Sequence, residues 1–355
     1  METDRRSFVK ATGLAAVLGT TGLAGCSGLL GGGGDASGWL YDPSVVAEVP
    51  NVAFGSMDYG TFYDNRDQLP ASMQEGFTTD PDSPIQPGDI ETLAGVGGGD
   101  VTADMQSASA FGTVVVTGSF PTSEIESEIE AESEVQPAGS YQDYSLYSVS
   151  DLGDGVTGVP ASERFQGSGA VAVGEGAMLI GLSAGQGTAS PATGTATVET
   201  MIDASAGNAR RLGDRDGPVT EVQSEVGESM VSVGAEVDPE LVTLAQRTSG
   251  MGGMQGQLVA GIRGGGFGMD IDGSTTTGTV VAVYDSSQSA TDAGLADLVS
   301  GMSARFEEEP GITTVSAEQN GAVVVVTVEG DTDTLLEQGA GSGTTFHVEP
   351  TGTAL

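Results

Sequence analysis

The hydrophobic pattern changes period along the chain, and each change marks an element. Asn51 to Tyr59 reads as a first strand, and the β-branched run Ala110-Phe111-Gly112-Thr113-Val114-Val115-Val116-Thr117 as another. Pro121-Thr122-Ser123 is a helix-start signal ahead of Glu124 to Glu130. Glutamate fills every second position from Glu124 to Glu134, so a strand with one acidic face competes with the helix. The proline entry, glutamate's helix propensity and the Ile125/Ile129 pair favour the helix. Tyr144 to Val149 predicts a strand. Ala170 to Leu182 predicts a hairpin turning at Gly174-Glu175-Gly176, Val198 to Leu212 a helix, and Met230 to Val237 a strand. The acidic, proline-containing stretch from Thr78 to Asp89 reads as a surface loop.

A second set echoes the first. Gly278-Thr279-Val280-Val281-Ala282-Val283 repeats the character of Gly112 to Val116. Leu295, Leu298, Val299, Met302 and Phe306 follow at a period near 3.6 and predict an amphipathic helix. Ile312 to Ala317 and Ala322 to Val328 predict a hairpin turning at Glu318-Gln319-Asn320-Gly321, with Asn-Gly as a type I′ signal. The order strand, helix, strand, strand, helix thus occurs twice. It predicts an α+β fold of two similar halves, residues 39–215 and 216–339, each an antiparallel sheet with helices packed on one face. A glycine-rich piece, Gly250 to Gly268, interrupts the second half, and residues 340–355 read as a loose tail.

Residues 1 to 38 follow a different logic. Arg5-Arg6 opens a basic segment continuing through Ser7-Phe8-Val9-Lys10, and a weakly apolar run from Ala11 to Ala24 ends in Leu23-Ala24-Gly25-Cys26. At about 14 residues, with glycines and threonines inside it, the run is too short and too polar for a membrane span of about 20 residues. Basic head, apolar run and small-residue end are the parts of an export signal. Asp4-Arg5-Arg6-Ser7-Phe8-Val9-Lys10 resembles the twin-arginine (Tat) export motif in Arg5, Arg6, Phe8 and Lys10, with Asp4 and Val9 departing from it. Leu23, Ala24, Gly25 and Cys26 resemble a lipobox. Residues 1–25 are accordingly expected to be a signal peptide removed before Cys26. Cys26 is the single cysteine of the chain, so no disulfide or thiolate metal site competes for it. The resemblance implies a lipid on Cys26, passage through the Tat translocase, and residence at the extracellular face of the cell membrane. Residues 26–38, including Gly31 to Gly34, would form a tether.

Charge narrows the setting. The chain holds 50 acidic and 11 basic residues, a formal net charge of −39 at pH 7. Beyond Lys10 every cation is arginine. Such a charge opposes compaction at ordinary ionic strength, whereas molar salt shortens the Debye length to about 3 Å and screens it. Composition and N-terminal motifs together resemble the secreted lipoproteins of halophilic archaea. Nucleic acid is excluded as a partner, because phosphate contacts need clustered Lys and Arg. The one basic cluster, Arg210-Arg211 with Arg215, is interleaved with Asp214 and Asp216.

Candidate chemistry is sparse. His347, the single histidine, sits in the polar tail. Gly181-Leu182-Ser183-Ala184-Gly185 matches Gly-x-Ser-x-Gly after a predicted strand, but a loop-like composition follows where a nucleophile elbow needs a helix. Zinc, copper and haem sites want several Cys or His ligands. Asp270-Ile271-Asp272-Gly273 resembles the start of a calcium loop without its later ligands, and a hairpin turn fits better. Asp151-Leu152-Gly153-Asp154-Gly155 has the same status. Gly261 to Gly268 lacks the Lys-Ser/Thr of a phosphate loop and reads as close packing or a turn. With so many acids, no carboxylate pair can be singled out for glycoside hydrolysis. No catalytic residue, metal or cofactor is assigned. The expected role is a lipid-anchored, non-enzymatic interaction or structural module. The alternative is a solute-binding lipoprotein of a membrane transporter, which requires a cleft between the halves; an extracellular hydrolase ranks third.

Overall fold

The structure, a computed structural model, describes residues 35–74, 77, 83–101, 108–149, 166–186, 192–227, 229–248 and 253–341. The first half supplies strands β1 (Asn51–Asp58), β2 (Ile90–Val101), β3 (Ala108–Gly118), β4 (Val135–Tyr141), β5 (Tyr144–Val149), β6 (Gln166–Gly174) and β7 (Ala177–Gln186). The second supplies β8 (Val231–Glu236), β9 (Ile262–Asp272), β10 (Thr275–Tyr284), β11 (Ile312–Asn320) and β12 (Val323–Asp331). All join one open 12-stranded sheet in the order β11-β12-β10-β9-β8-β1-β2-β3-β7-β6-β5-β4. Every pairing is antiparallel, as expected for an α+β protein of this class. The halves meet at β1 and β8, from Val52 opposite Glu236 to Met57 opposite Val231. There the hydroxyls of Ser56 and Ser232, both buried, lie 2.9 Å apart.

The halves share a plan but not a strand count. Helix α3 (Thr122–Ala131) leads from β3 into a four-strand meander, whereas α8 (Ser287–Ala293) and α9 (Leu295–Phe306) lead from β10 into a single hairpin. The glutamate-rich segment is helical as expected, with Ile125 buried. Two elements differ in register from expectation. Helix α4 spans Gly194–Ser205, capped by Thr193 and ended before Gly207 at φ 74, not Val198 to Leu212. In the β11–β12 hairpin Asn320 still pairs with Val323, and the turn is Gly321-Ala322. With φ of 65 at Gly321 and none of the positive-φ positions at Ala322, this is the II′ arrangement rather than I′.

Three strands escaped the hydrophobic pattern altogether: the edge strand β4 and two strands of the sheet interior, β2 and β9. The latter two are equivalent in the two halves, next to the seam, and both are rich in glycine: Gly97 to Gly99 and Gly264 to Gly266. From Ile262 onward the expected glycine-rich interruption is thus a sheet strand, with a short helix, Gly253–Leu258, ahead of it. Glycine is needed because other chain lies directly on these strands. A Cβ at Gly266 would collide with Val222 of α5 (Pro218–Val226), and one at Gly98 with Val49 and Pro43. In each half the segment that precedes the first strand therefore rests on the glycines of the second.

The helices occupy both faces rather than one. Cross-strand neighbours share a face, so Gly181, Thr113, Val96, Phe54, Gly234 and Gly266 form one row across the sheet. Helix α4 covers that row at Gly181 and α5 covers it at Gly234 and Gly266. On the opposite face, Ile125 of α3 packs with Val116 and Met178. Phe62 of α1 (Tyr59–Asp64) and Leu336 of α10 (Thr332–Gly341) meet Met269, and Leu295 of α9 meets Ala282 and Val324. Runs such as Val114-Val115-Val116 present apolar groups to both sides, so both sides need cover. The main core runs through both halves, from Leu179 and Val198 to Val222 and Val281.

Candidate functional site

Between α4 and α5 the same face is closed by the N-terminal strap, residues 35–46. Two short 3-10 turns, Asp35–Gly38 and Pro43–Val45, bracket it. Pro43 presets the second turn and Asp42 caps it, accepting from the Ser44 amide at 3.0 Å. Tyr41 bridges Arg211, the Asp42 amide donates to the Arg210 carbonyl at 2.9 Å, and the Leu212 amide donates to the Leu40 carbonyl at 2.8 Å. Tyr41 is wholly buried, its hydroxyl 3.4 Å from Thr113 Oγ1. Burial drives that phenol far above its ordinary range, partly offset by the Thr113 contact, so it stays neutral.

The basic cluster seen in the sequence closes on this strap. Arg215 Nη1 lies 3.1 Å and Arg210 Nη1 3.2 Å from the wholly buried Asp42 carboxylate. Arg215 Nε lies 3.5 Å from Glu236 at the end of β8. Arg211 turns the other way and donates through Nε to the Ala204 carbonyl at 3.1 Å, closing the C-terminus of α4. Burial alone would raise the Asp42 pKa; the bonds from Ser44 and the Arg215 guanidinium outweigh it and hold the carboxyl below the usual range. The arrangement is therefore a charge-paired fastening. The Asp42 carboxylate is held ionised by Ser44 and Arg215 and is not set up to exchange protons at neutral pH. No local signal marked Asp42, whose partner is 173 positions away.

The other sequence candidates fall elsewhere. Ser183 lies inside β7, opposite Phe111 and Ser168, fully buried, and no elbow exists there. Asp270 and Asp272 belong to the β9–β10 hairpin, which turns at Gly273, and Asp270 accepts from the Met230 amide at 2.7 Å. Among the described residues no group of three or more His, Cys, Asp or Glu could hold a metal ion. A depression of about 260 Å³ between α7 (Gly253–Leu258) and α8 is lined by Gln257, Gly261, Asp285, Ser289 and Asp292, with both aspartates exposed. Among the described residues no helix is long and apolar enough to cross a membrane. Arg5, Arg6, Phe8, Lys10, Leu23, Ala24, Gly25, Cys26, Asp151 to Gly155, His347 and the tail from Ser342 lie outside the described residues.

No family model matches the chain, and no curated protein matches it. Solved structures of TP0453 are similar: crystal form III at TM-score 0.40 and 9% identity, covering 83% of this chain and 96% of that one. Crystal form IV gives TM-score 0.40 and 8% identity over 86% and 99%. A likeness this distant carries no functional argument.

Proposed function

We propose that this chain is a lipid-anchored protein of the extracellular membrane face of a halophile, exported through the twin-arginine route and acting as a non-enzymatic interaction or structural module. The observation that carries this reading is the strap. Asp35 stands nine positions after Cys26, a reach of about 30 Å at most. The chain is then fastened at once, through Leu40, Tyr41 and Asp42, to the crossover between the halves and to β8. A fold held through a lipid on Cys26 would take its load at this point. The transporter-lipoprotein reading needs a cleft between the halves, and the β1–β8 pairing weighs against it, since the backbone itself fills that line.

The test is Cys26→Ser with cell fractionation. The variant is expected to appear in the medium or to stay unprocessed. Retention in the membrane fraction at the native processed mass would end the lipoprotein reading.

A further inference from the structure

The two ends of the sheet are defended differently. Edge strand β4 carries Pro137 and a bulge between Pro137 and Gly139, and both obstruct pairing with another strand. Edge strand β11 has no proline, and its register shift lies at its very start, between Ile312 and Thr314, leaving Thr314 to Asn320 regular. Its pairing runs up to Asn320 opposite Val323 at a two-residue turn, so the amides of Asn320, Glu318 and Ser316 face β12. Those of Gln319, Ala317 and Val315 face outward. The Val315 amide bears this out: it donates to Glu307 Oε1 at 3.4 Å.

The helix beside this edge is also unfinished. Although α9 packs on β11, none of its residues is buried. Glu307, just past its C-terminus, reaches the outer side of β11. Helical spacing puts Ser300 and Ser303 on the same flank as Glu307, and these small side chains leave room beside the strand.

We propose that the outer edge of β11, with this flank of α9, is the surface through which the chain pairs with a second copy of itself, and that Glu307 is the latch opposing it. A strand edge is its own complement under a two-fold axis, with the strands antiparallel and the helix flanks side by side. Nine residues extend about 30 Å, and strand plus helix flank are on the order of 20 Å deep. That gives on the order of 1,200 Å² over both copies, the lower end of a stable interface. Pairing must lift Glu307 from the Val315 amide and desolvate it. The charge of −39 per chain keeps copies apart at low ionic strength and ceases to do so in molar salt.

The experiment is sedimentation of the full-length chain carrying Cys26→Ser, in molar KCl. Glu307→Ala is expected to tighten self-association at least about tenfold, and Glu308→Ala to leave it unchanged. Ala317→Pro removes an outward amide and spares the β12 ladder, while Ser300→Glu places a charge on the flank without touching the sheet. Added to Glu307→Ala, loss of the dimer in either, with an unchanged circular dichroism spectrum, supports the proposal. The proposal is overturned if Glu307→Ala associates no more than its parent, if Glu308→Ala tightens association equally, or if the dimer persists in both combinations.

Discussion

Asp42 and Arg215, 173 positions apart in the chain, meet at 3.1 Å with the carboxylate wholly buried and the guanidinium nearly so. The pair joins the strap to the crossover, and Arg215 passes the link on to Glu236. Removing one partner of such a pair leaves the other desolvated and uncompensated. Asp42→Ala is therefore expected to cost about 3 kcal/mol and to loosen the strap. Trp39, the single tryptophan, packs partly buried against the main core and reports on it. A red-shifted emission with a lower melting temperature is the expected result; unchanged emission would mean that the strap holds without the ion pair.

The same carboxylate predicts a pH dependence. Its folded pKa is depressed, so its contribution is complete above the ordinary aspartate value of about 3.9 and is lost as pH falls through the folded value. Melting temperature should decline below about pH 4. Asp42→Asn should start lower at neutral pH and decline less steeply in acid. Parallel acid profiles for the two proteins would assign the decline to other carboxylates.

Two glycines of different surroundings should respond with opposite signs. At Gly181 a Cβ would stand 2.5 Å from the Gly194 carbonyl oxygen, Thr197 Oγ1 and Val198 Cγ2, so Gly181→Ala must push α4 off the sheet. A loss of about 3 kcal/mol is expected. Gly301, within α9, has nothing within 4 Å of a Cβ. Gly301→Ala should gain about 1 kcal/mol from helix propensity. Chemical denaturation of both variants in molar salt reads the contrast directly.

Salt itself is the fourth prediction. With a formal charge of −39 and no lysine beyond Lys10, folding stability should rise steeply from low to molar KCl as repulsion is screened. The buried Asp42–Arg215 pair is screened far less, so the penalty of Asp42→Ala should stay nearly constant across that range. A melting temperature indifferent to salt would contradict the reading of the composition.

These responses also show what the sequence could convey. Strands β3, β10 and β12 were legible because valine and threonine mark a pleated, buried surface. β2 and β9 were not, because glycines that make room for Pro43, Val49 and Val222 erase that mark. The covering of both faces was implicit in Val323 to Val326, an unbroken apolar run that no one-sided sheet needs. Helix α5 had local signals, with Pro218 at its start, Gly227 at its end, and Val219, Val222 and Val226 on one face. The strap had none. Its arginine cluster was visible, but a pairing with Asp42 at such separation leaves no trace in local spacing.

The seam between β1 and β8 carries a consequence for how the chain is made. Ser56 and Ser232 are 176 positions apart, so β1 emerges from the ribosome long before its outer neighbour exists. Until then the first half presents a bare strand of eight residues to the crowded cell interior. Closing so long a loop is slow. Under the export proposed above, a machinery that carries folded protein would move the chain with this seam already closed, whereas one that threads unfolded chain would deliver the first half with that strand still open.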